Sequence, residues 1–298
     1  MFISYDHYRI FYFVAKYGSF TKAAEILLSN QPNLTRTVRS LETSLGCTLF
    51  ERSNKGVRLT PDGEKLYDHI SIAFEHIEAG EQEISSKNSL KKGVLSIGAS
   101  EIALRCFLLP ILNEYRQKYP GIQIKISNVS TPSAVTMLKS ALVDLAFVTT
   151  PIESDPELSR KNLRSLREVA VCGDAFSSLA NSDTPVSFRR IAKKPIVSLG
   201  PKTSTYEFYL KLFIEHGASF SSDIEAATAD QILPLVRHNL GIGFVPVDFL
   251  EDITEDSGIY QIPLKEEIPK RYITLLKKKG RTLSPPAKEL EKVITDNL

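Results

Sequence analysis

Cysteine is scarce in this chain, and the features of exported or membrane-bound proteins are missing. The 298 residues include three cysteines, Cys47, Cys106 and Cys172, which lie far apart and form no CxxC pair. No run of eighteen apolar residues is present, so we expect no membrane span. The first residues lack the basic and then apolar order of a secretory signal. These absences favour a cytoplasmic protein with reduced thiols.

The sequence also lacks the common motifs of catalysis. It contains no HExxH, no Walker loop, no GxSxG and no dinucleotide-binding glycine fingerprint. Its five histidines are scattered and indicate no catalytic triad. His69 and His76, seven residues apart, are expected to be solvated and not to hold a metal. The sequence therefore predicts a protein that is not an enzyme, with no catalytic residues, no metal and no cofactor.

Length and charge indicate how the chain is divided. A chain of 298 residues is too long for one ordinary core, and 42% hydrophobic and 24% charged residues are typical of folded proteins. Residues 1–60 contain eight Lys and Arg against four Asp and Glu, a net charge of +4, whereas residues 61–88 have a net charge of −5. A basic segment followed by an acidic one is typical of a DNA-binding module on a solvated helix.

Apolar spacing predicts three short helices in residues 1–46. The first ends at Gly18, and its apolar face has Tyr8, Phe11, Tyr12 and Ala15. Ser19 can cap the second, whose small or apolar side has Ala23, Ala24, Leu27 and Leu28. Asn30 can cap the third, which begins with Gln31-Pro32 and ends at Gly46.

The third helix is predicted to have two distinct faces. Its inward face has Leu34, Val38, Leu41 and Leu45. Its outward face has side chains that can reach base edges and phosphates, namely Gln31, Asn33, Thr35, Arg36 and Arg39. These side chains cluster toward the N-terminal half, which enters the major groove in helix-turn-helix proteins. The spacing alone is equally compatible with an ordinary amphipathic surface helix.

A fourth helix is predicted over residues 61–88. Thr60 can cap it, and its apolar or small residues recur with the heptad spacing of a coiled coil at Leu66, Ile70, Ala73, Ile77, Gly80 and Ile84. No neighbouring segment is obviously free to cover this stripe. We therefore expect two copies of the chain to pair through it as a homodimer.

From Gly93 onward the pattern changes to alternating strands and helices. Strands are predicted at 94–97, 122–126 and 145–148, with helices at 104–119 and 134–142, an order that implies a parallel sheet. A second set has strands at 169–171, 196–199, 223–227 and 242–245, with helices at 206–215 and 230–238. The last strand (272–276) and helix (287–294) are expected to return to the first lobe. Two lobes joined by two crossing segments form a hinged cleft.

Motifs along the whole chain resemble those of the LysR-type transcriptional regulators. In the first sixty-three residues the match is carried by Phe20-Thr21-x-Ala23-Ala24-x-x-Leu27, Gln31-Pro32-x-Leu34-Thr35-Arg36, Leu41-Glu42, Leu45-Gly46, Leu49-Phe50-x-Arg52 and Leu59-Thr60-x-x-Gly63. Further on it is carried by Asp144-Leu145-Ala146-Phe147, Leu235-Val236, Gly241-Ile242-Gly243-Phe244-Val245-Pro246 and Leu283-Ser284-Pro285-x-Ala287. The effector region of this family is itself similar to periplasmic solute-binding proteins.

The resemblance implies roles for particular residues. The residues that would read bases are Gln31, Pro32, Asn33, Thr35 and Arg36. Those that would lie on or beside a β-wing that follows phosphates are Arg52, Lys55 and Arg58. Asn33 and Thr35 depart from the small residues and Ser that are commoner in the family, so the operator sequence is not implied. The resemblance also implies a homotetramer on an interrupted inverted repeat of double-stranded DNA, a small-molecule effector, and contact with RNA polymerase if the protein activates.

Hydroxyl groups lie where ligands bind in open α/β sheets, at the carboxyl ends of strands and near helix N-termini. The candidate effector residues are Ser100, Glu101, Thr131, Ser133, Thr149, Thr203 and Ser204, with Thr150 and Thr205 beside them. They suit a small carboxylate or phosphate, whereas Glu101 favours an amine or an amino acid. The alternative is that the hydroxyls are plain helix caps.

The resulting fold class is α/β, with an N-terminal winged helix-turn-helix, a linker helix and a two-lobed effector domain like periplasmic binding proteins. The expected domains are residues 1–60, 61–90 and 91–298, with lobe I at 91–163 and 268–298 and lobe II at 164–267. A pure solute-binding protein would leave the first ninety residues without a purpose. A thiol redox sensor that uses Cys106 and Cys172 on the same scaffold is the alternative function.

Overall fold

The structure is a computed structural model that describes residues 3–53, 56–85, 93–251, 254 and 257–298. The chain divides into two compact units, Met1–Ser85 and Ser86–Leu298. Within the described ranges, none of the helices is both long and apolar enough to cross a membrane.

The first unit is a helix-turn-helix followed by a hairpin and a long helix. Its elements are α1 (Tyr5–Tyr17), α2 (Phe20–Ile26), α3 (Gln31–Leu45), β1 (Phe50–Ser53), β2 (Gly56–Leu59) and α4 (Pro61–Ser85). The Ser19 and Asn30 side chains accept hydrogen bonds from the N–H groups of Lys22 (3.3 Å) and Asn33 (2.9 Å), so both predicted caps are confirmed. β1 and β2 pair antiparallel, as a wing requires.

The core of this unit confirms most of the predicted inward residues and contradicts two. Leu34, Val38 and Leu41 are fully buried against side chains of α1 and α2. Leu45 is 39% exposed because the last turn of α3 extends past that core. Leu28 is 95% exposed because α2 ends at Ile26 and the chain turns there with a φ of 49° at Leu28. Helical spacing therefore no longer applies at Leu28.

Leu28→Asn is expected to stabilise the first unit by about 1 kcal/mol, since a left-handed backbone is unfavourable for leucine and tolerated by asparagine. The measurement is hydrogen exchange of the α2 and α3 amides in the full chain. Ile26→Asn is the matched control, because Ile26 is also exposed but helical and should be destabilised by the change. An unchanged or faster exchange in Leu28→Asn would contradict the role assigned to the backbone angle.

Part of the predicted pairing stripe of α4 is covered by the chain itself. Phe74 of α4 is buried and stacks on Tyr12 of α1, with ring centroids 4.6 Å apart, and Tyr67 stacks on the same ring at 5.8 Å. Leu66 and Ile70 pack beside them against the core. The expectation that nothing nearby covers the stripe is therefore wrong for Leu66 and Ile70. Further along, Ile72, Ala73 and Ile77 are exposed.

The second unit alternates strands and helices. Its strands are β3 (Gly93–Ala99), β4 (Ile122–Asn128), β5 (Leu145–Thr149), β6 (Leu158–Leu166), β7 (Glu168–Gly173), β8 (Ile196–Leu199), β9 (Ile224–Ala226), β10 (Ile242–Pro246), β11 (Ile259–Ile262) and β12 (Arg271–Lys278). Its helices are α5 (Glu101–Ala103), α6 (Leu109–Lys118), α7 (Thr131–Lys139), α8 (Ser177–Ala180), α9 (Phe188–Ile191), α10 (Ser204–Glu215), α11 (Ile232–Arg237) and α12 (Pro285–Asp296). A π-helical turn (Leu104–Leu108) joins α5 to α6.

These strands form two five-stranded sheets. Sheet I has the order β4-β3-β5-β12-β6, and sheet II has the order β11-β7-β10-β8-β9. The predicted parallel arrangement of β3, β4 and β5 is confirmed. β12 returns to sheet I, where it pairs antiparallel with β5 and β6, as predicted. The buried side chains of α12 belong to the same apolar cluster as those of sheet I, so this helix also returns to the first lobe, as predicted. One apolar cluster contains side chains of both sheets, such as Phe147 and Val171.

Two strands were not predicted from the sequence. More than half of the residues of β6 are exposed, among them Arg160, Lys161 and Arg164, because it is the edge strand of sheet I, so it shows little apolar alternation. β11 is also an edge strand and is only four residues long. β6 continues to Leu166 and therefore spans the lobe boundary that was placed between residues 163 and 164.

Candidate functional sites

The outward face of α3 is solvent-exposed along its N-terminal half. The exposed residues are Gln31, Pro32, Asn33, Arg36 and, one turn later, Arg39, whereas Thr35 is half-buried. Within the described residues, neither Arg36 nor Arg39 forms an ion pair. Their guanidinium groups are therefore not neutralised by this part of the chain, which suits contact with DNA.

Asn33 is held more firmly than its neighbours. Its side-chain amide donates to Ser29 Oγ (3.3 Å), and its backbone carbonyl accepts a hydrogen bond from Thr37 Oγ1 (3.0 Å). The bond to Ser29 orients the Asn33 side chain at the start of the helix. One donor of its amide and the carbonyl oxygen of the side chain are left for a base edge.

The wing is anchored to α3 by a carboxylate. Glu42 Oε1 accepts hydrogen bonds from the N–H groups of Leu49 (2.8 Å) and Phe50 (3.3 Å), where β1 begins. Arg58 lies exposed on β2 opposite Glu51. Arg52 pairs with Val57 through its backbone, and Lys55 lies outside the described residues. The motif Leu41-Glu42 does not by itself indicate this structural role, because Leu49 and Phe50 lie beyond the end of α3.

In sheet I the strand ends bring several predicted effector residues together. Ser100 caps α5 and accepts from the N–H of Ala103 (3.3 Å), while Glu101 accepts from the side-chain amide of Asn128. Thr131 is buried and donates to the carbonyl of Thr149 (3.4 Å). Ser133 is exposed and bonds to Ser130, the residue that caps α7. Ser100 is therefore the N-cap of α5.

In sheet II the corresponding hydroxyls lie at the start of α10. Thr203 caps the helix, accepting from the N–H of Tyr206 (3.2 Å) and donating to the carbonyl of Gly200 (2.8 Å), so its hydroxyl proton is already donated within the chain. Ser204 and Thr205 are buried in the first turn of the helix. Thr203 is therefore the N-cap of α10.

A buried arginine connects the two groups of hydroxyls. Arg271, the first residue of β12, is fully buried. Its Nη2 donates to Thr149 Oγ1 and to Thr205 Oγ1, both at 3.0 Å, and its Nε donates to the carbonyl of Thr150 at 2.5 Å. One guanidinium thus contacts the end of β5 in sheet I and the start of α10 beside sheet II.

Glu168 balances the charge of this arginine. Its Oε1 accepts from Arg271 Nη1 at 3.0 Å, and its Oε2 accepts from the hydroxyl of Tyr209 at 2.8 Å. Both side chains of the ion pair are at most 2% exposed. Burial is the largest cause that raises the pKa of Tyr209 well above its usual value, and the nearby Glu168 carboxylate is the second. This phenol therefore stays protonated and donates its hydrogen bond to Glu168. The Phe208 ring lies 5.0 Å from the guanidinium carbon.

A cavity of about 400 Å³ lies beside this ion pair. It is lined by residues of β7 and β11 and by residues between 264 and 270, which lead back to sheet I. Its charged residues are Arg167, Glu168, Lys265, Glu266, Glu267 and Lys270. None of the predicted effector residues lines it.

Comparisons with known proteins assign both units. Residues 5–64 match the family model described as bacterial regulatory helix-turn-helix protein, lysR family, and residues 88–298 match the LysR substrate binding domain. The chain belongs to the LysR family of DNA-binding transcriptional regulators. Its relatives in this family are transcriptional regulators and not enzymes.

Individual relatives match along most of this LysR-type regulator. It is 26% identical over 290 residues to the RuBisCO operon transcriptional regulator of Allochromatium vinosum, covering 96% of this chain and 94% of the relative. It is 29% identical over 242 residues to BenM of Acinetobacter baylyi, covering 80% and 79%. The crystal structure of full-length CbnR with its target DNA has a TM-score of 0.72 at 16% identity, covering 99% of this chain and 100% of that one, which supports the fold.

The two cysteines of the redox alternative are poor candidates for reactive thiols. Cys106 and Cys172 are buried and belong to different apolar clusters. Burial raises the pKa of Cys106 to about 12 and that of Cys172 to about 11, so neither is a thiolate near neutral pH. The fold is shared with OxyR of Corynebacterium glutamicum, at 20% identity and a TM-score of 0.57, but that likeness concerns the fold alone and does not favour the alternative.

The Arg271 network was missed from the sequence, although a signal was present. Arg271 alternates with Ile273 and Leu275, which are fully or almost fully buried on the same face of β12. A charged residue in register with two buried apolar residues indicates a buried ion pair, and its partner could not be predicted because Glu168 is 103 residues away.

Arg271→Met is expected to destabilise the second unit by about 3–5 kcal/mol, because it leaves the Glu168 carboxylate buried without its cation. Chemical denaturation of the full chain measures the change. Adding Glu168→Gln to Arg271→Met should recover part of the loss, since glutamine still accepts from Tyr209 and has no charge. Asp62→Asn, which breaks the exposed Lys65–Asp62 pair, is the control and should have no measurable effect. Equal effects of Arg271→Met and Asp62→Asn would contradict the importance of the buried pair.

Proposed function

We propose that this LysR-type regulator binds an interrupted inverted repeat as a homo-oligomer and responds to a small molecule bound between sheets I and II. The observation that carries the DNA-binding part is the exposed, unneutralised face of α3 beside the anchored wing. In this proposal the bases are read by Gln31, Pro32, Asn33, Thr35 and Arg36. The phosphates are contacted by Arg39, Arg52, Lys55 and Arg58. Residues 1–60 bind DNA, 61–90 link and dimerise, and 91–298 bind the effector.

Pairing of two copies is supported by α4. The helix has 25 residues, roughly 37 Å at about 1.5 Å per residue, and beyond its contact with α1 it leaves Ile72, Ala73 and Ile77 exposed. A net charge of +4 on residues 1–60 gives one copy weak affinity, and two copies on two half-sites bind far more tightly. The proposal includes a tetramer built from two such dimers, and contact with RNA polymerase if the protein activates.

The effector-binding part is supported by the hydroxyls at the strand ends. The residues at or just after the strand ends of sheet I are Ser100, Glu101, Thr131, Ser133 and Thr149. Those at the start of α10, beside sheet II, are Thr203 and Ser204. A ligand that contacts both sets would change the equilibrium between two arrangements of the lobes, and hence of the assembly on DNA. Its proposed class is a small carboxylate or an amino acid.

Arg36→Ala is expected to weaken binding to the operator by about 1–3 kcal/mol and to relax the sequence preference at one position, because a base contact is lost. The operator is first selected from random DNA by the wild-type protein. Gel shifts then compare the variant on the selected site and on single-base variants of it. A uniform loss over all sequences would show that Arg36 does not read a base.

Arg58→Ala is the matched change on the wing. It is expected to weaken binding to all sequences alike and to reduce the slope of log affinity against log salt by about one unit, because one phosphate contact is lost. The same gel shifts are repeated at several salt concentrations. An unchanged salt slope together with altered sequence preference would contradict this role.

A further inference from the structure

The chain turns between α2 and α3 through a leucine with a left-handed backbone. α2 ends in the hydrogen bonds of a Schellman motif, in which the N–H of Ser29 donates to the carbonyl of Ala24 (2.9 Å) and the N–H of Leu28 donates to the carbonyl of Glu25 (3.3 Å). Leu28, with a φ of 49°, occupies the left-handed position of this motif. That position usually belongs to glycine and sometimes to asparagine, because a larger side chain makes the left-handed backbone unfavourable.

Leucine at this position is not explained by the packing of the protein. Among the described residues of the first unit, the other left-handed positions are Gly18, which ends α1, and Gly46, which ends α3. Glycine or asparagine would relieve the backbone at Leu28 as well. The Leu28 side chain does not offset this strain inside the protein, because it is 95% exposed, whereas the neighbouring Leu27 packs against the core. A strained backbone that the fold does not require indicates a functional constraint.

The turn that contains Leu28 is joined to the start of α3. Ser29, the next residue, accepts a hydrogen bond from the side-chain amide of Asn33, and Asn30 caps the helix. In a helix-turn-helix the N-terminal residues of the second helix contact base edges in the major groove. The end of α3 that approaches the bases is therefore the end that carries Leu28.

We propose that Leu28 contacts the 5-methyl group of a thymine in the major groove, next to the bases that α3 reads. This deepens the proposed function, on which it rests, by adding a specificity-determining residue outside α3. The thymine methyl group is the apolar feature of the base edges in this groove, where the other groups are hydrogen-bond donors and acceptors. Contact between the two removes apolar surface of both from water, and the left-handed backbone holds the leucine outward to make it.

Other partners fit this side chain less well. Leucine has no charge and no hydrogen-bond donor, so packing it on a phosphate would desolvate the phosphate oxygens without replacing their bonds. A partner protein would have to bind beside Asn33, where the DNA lies in the complex that we propose.

The test compares thymine with deoxyuridine, which pairs with adenine in the same way and lacks the methyl group. The full-length wild-type protein first selects its site from random DNA. Each thymine of one half-site is then replaced in turn by deoxyuridine, and gel shifts measure the affinity. At one or more positions the replacement is expected to weaken binding about fourfold, the ratio expected for one methyl-sized group taken out of water.

Variants of Leu28 separate the contact from stability. Leu28→Asn and Leu28→Gly suit the left-handed backbone and should remain folded, yet both should bind the selected site more weakly than the wild type. At one of the sensitive positions they should bind the thymine and deoxyuridine forms equally well. Leu28→Met keeps an apolar side chain and should retain the difference. The slope of log affinity against log salt should stay unchanged in all three, because no charge is altered.

Leu45→Asn is the matched control. Leu45 is another exposed leucine of the first unit, but it lies in the last turn of α3, at the opposite end from Leu28. This variant should retain the wild-type difference between thymine and deoxyuridine at every position.

Two results would overturn the inference about Leu28. One is wild-type affinity for the selected site in both Leu28→Asn and Leu28→Gly. The other is weaker binding by these variants with the wild-type response to every deoxyuridine replacement, which would show that the side chain does not contact a thymine methyl group. Failure of the wild-type protein to select any site is a different result, because it refutes the proposed DNA-binding function itself.

Discussion

The second unit depends on a buried guanidinium that must be satisfied away from water. A cation in this environment is strongly unfavourable unless its donors are paired, so Arg271 requires Glu168, Thr149, Thr205 and the carbonyl of Thr150 all to be in place. Because Arg271 is the first residue of the strand that returns to sheet I, the returning chain itself provides the link between the two sheets. The ends of β5, β7 and α10 are held at one point as a result.

In the first unit the comparable constraint is aromatic and lies where the linker helix begins. Tyr12 is stacked against both Tyr67 and Phe74, so the first half of α4 is part of the DNA-binding unit and not a free stalk. A change in the direction of α4 therefore acts directly on α1, which packs on the recognition helix α3. The exposed residues Ile72, Ala73 and Ile77 leave a surface for the pairing that we propose.

Features that depend on local sequence could be predicted, whereas those that depend on distant partners could not. The caps at Ser19 and Asn30, the polar face of α3 and the parallel order of β3, β4 and β5 follow from spacing within a few residues. Spacing failed at Leu28 and Leu45, where the helix ends and its periodicity no longer decides burial. Edge strands such as β6 lack an apolar pattern, and the contact of Arg271 with Glu168 joins segments that only the fold brings together.

Charge balance at the sheet-to-sheet contact determines how far the buried arginine acts on its surroundings. An unpaired arginine would attract any anion, and the attraction would depend mainly on charge. Here Glu168 neutralises Arg271, and both side chains are nearly fully buried. The long-range attraction of the pair for an anion is therefore small. The pair then acts on its surroundings mainly through short-range hydrogen bonds, and those that Arg271 donates to Thr149 and Thr205 reach both sheets. Because Thr149 ends a strand of sheet I and Thr205 lies at the start of α10 beside sheet II, any displacement of one sheet relative to the other must lengthen or break one of these two bonds.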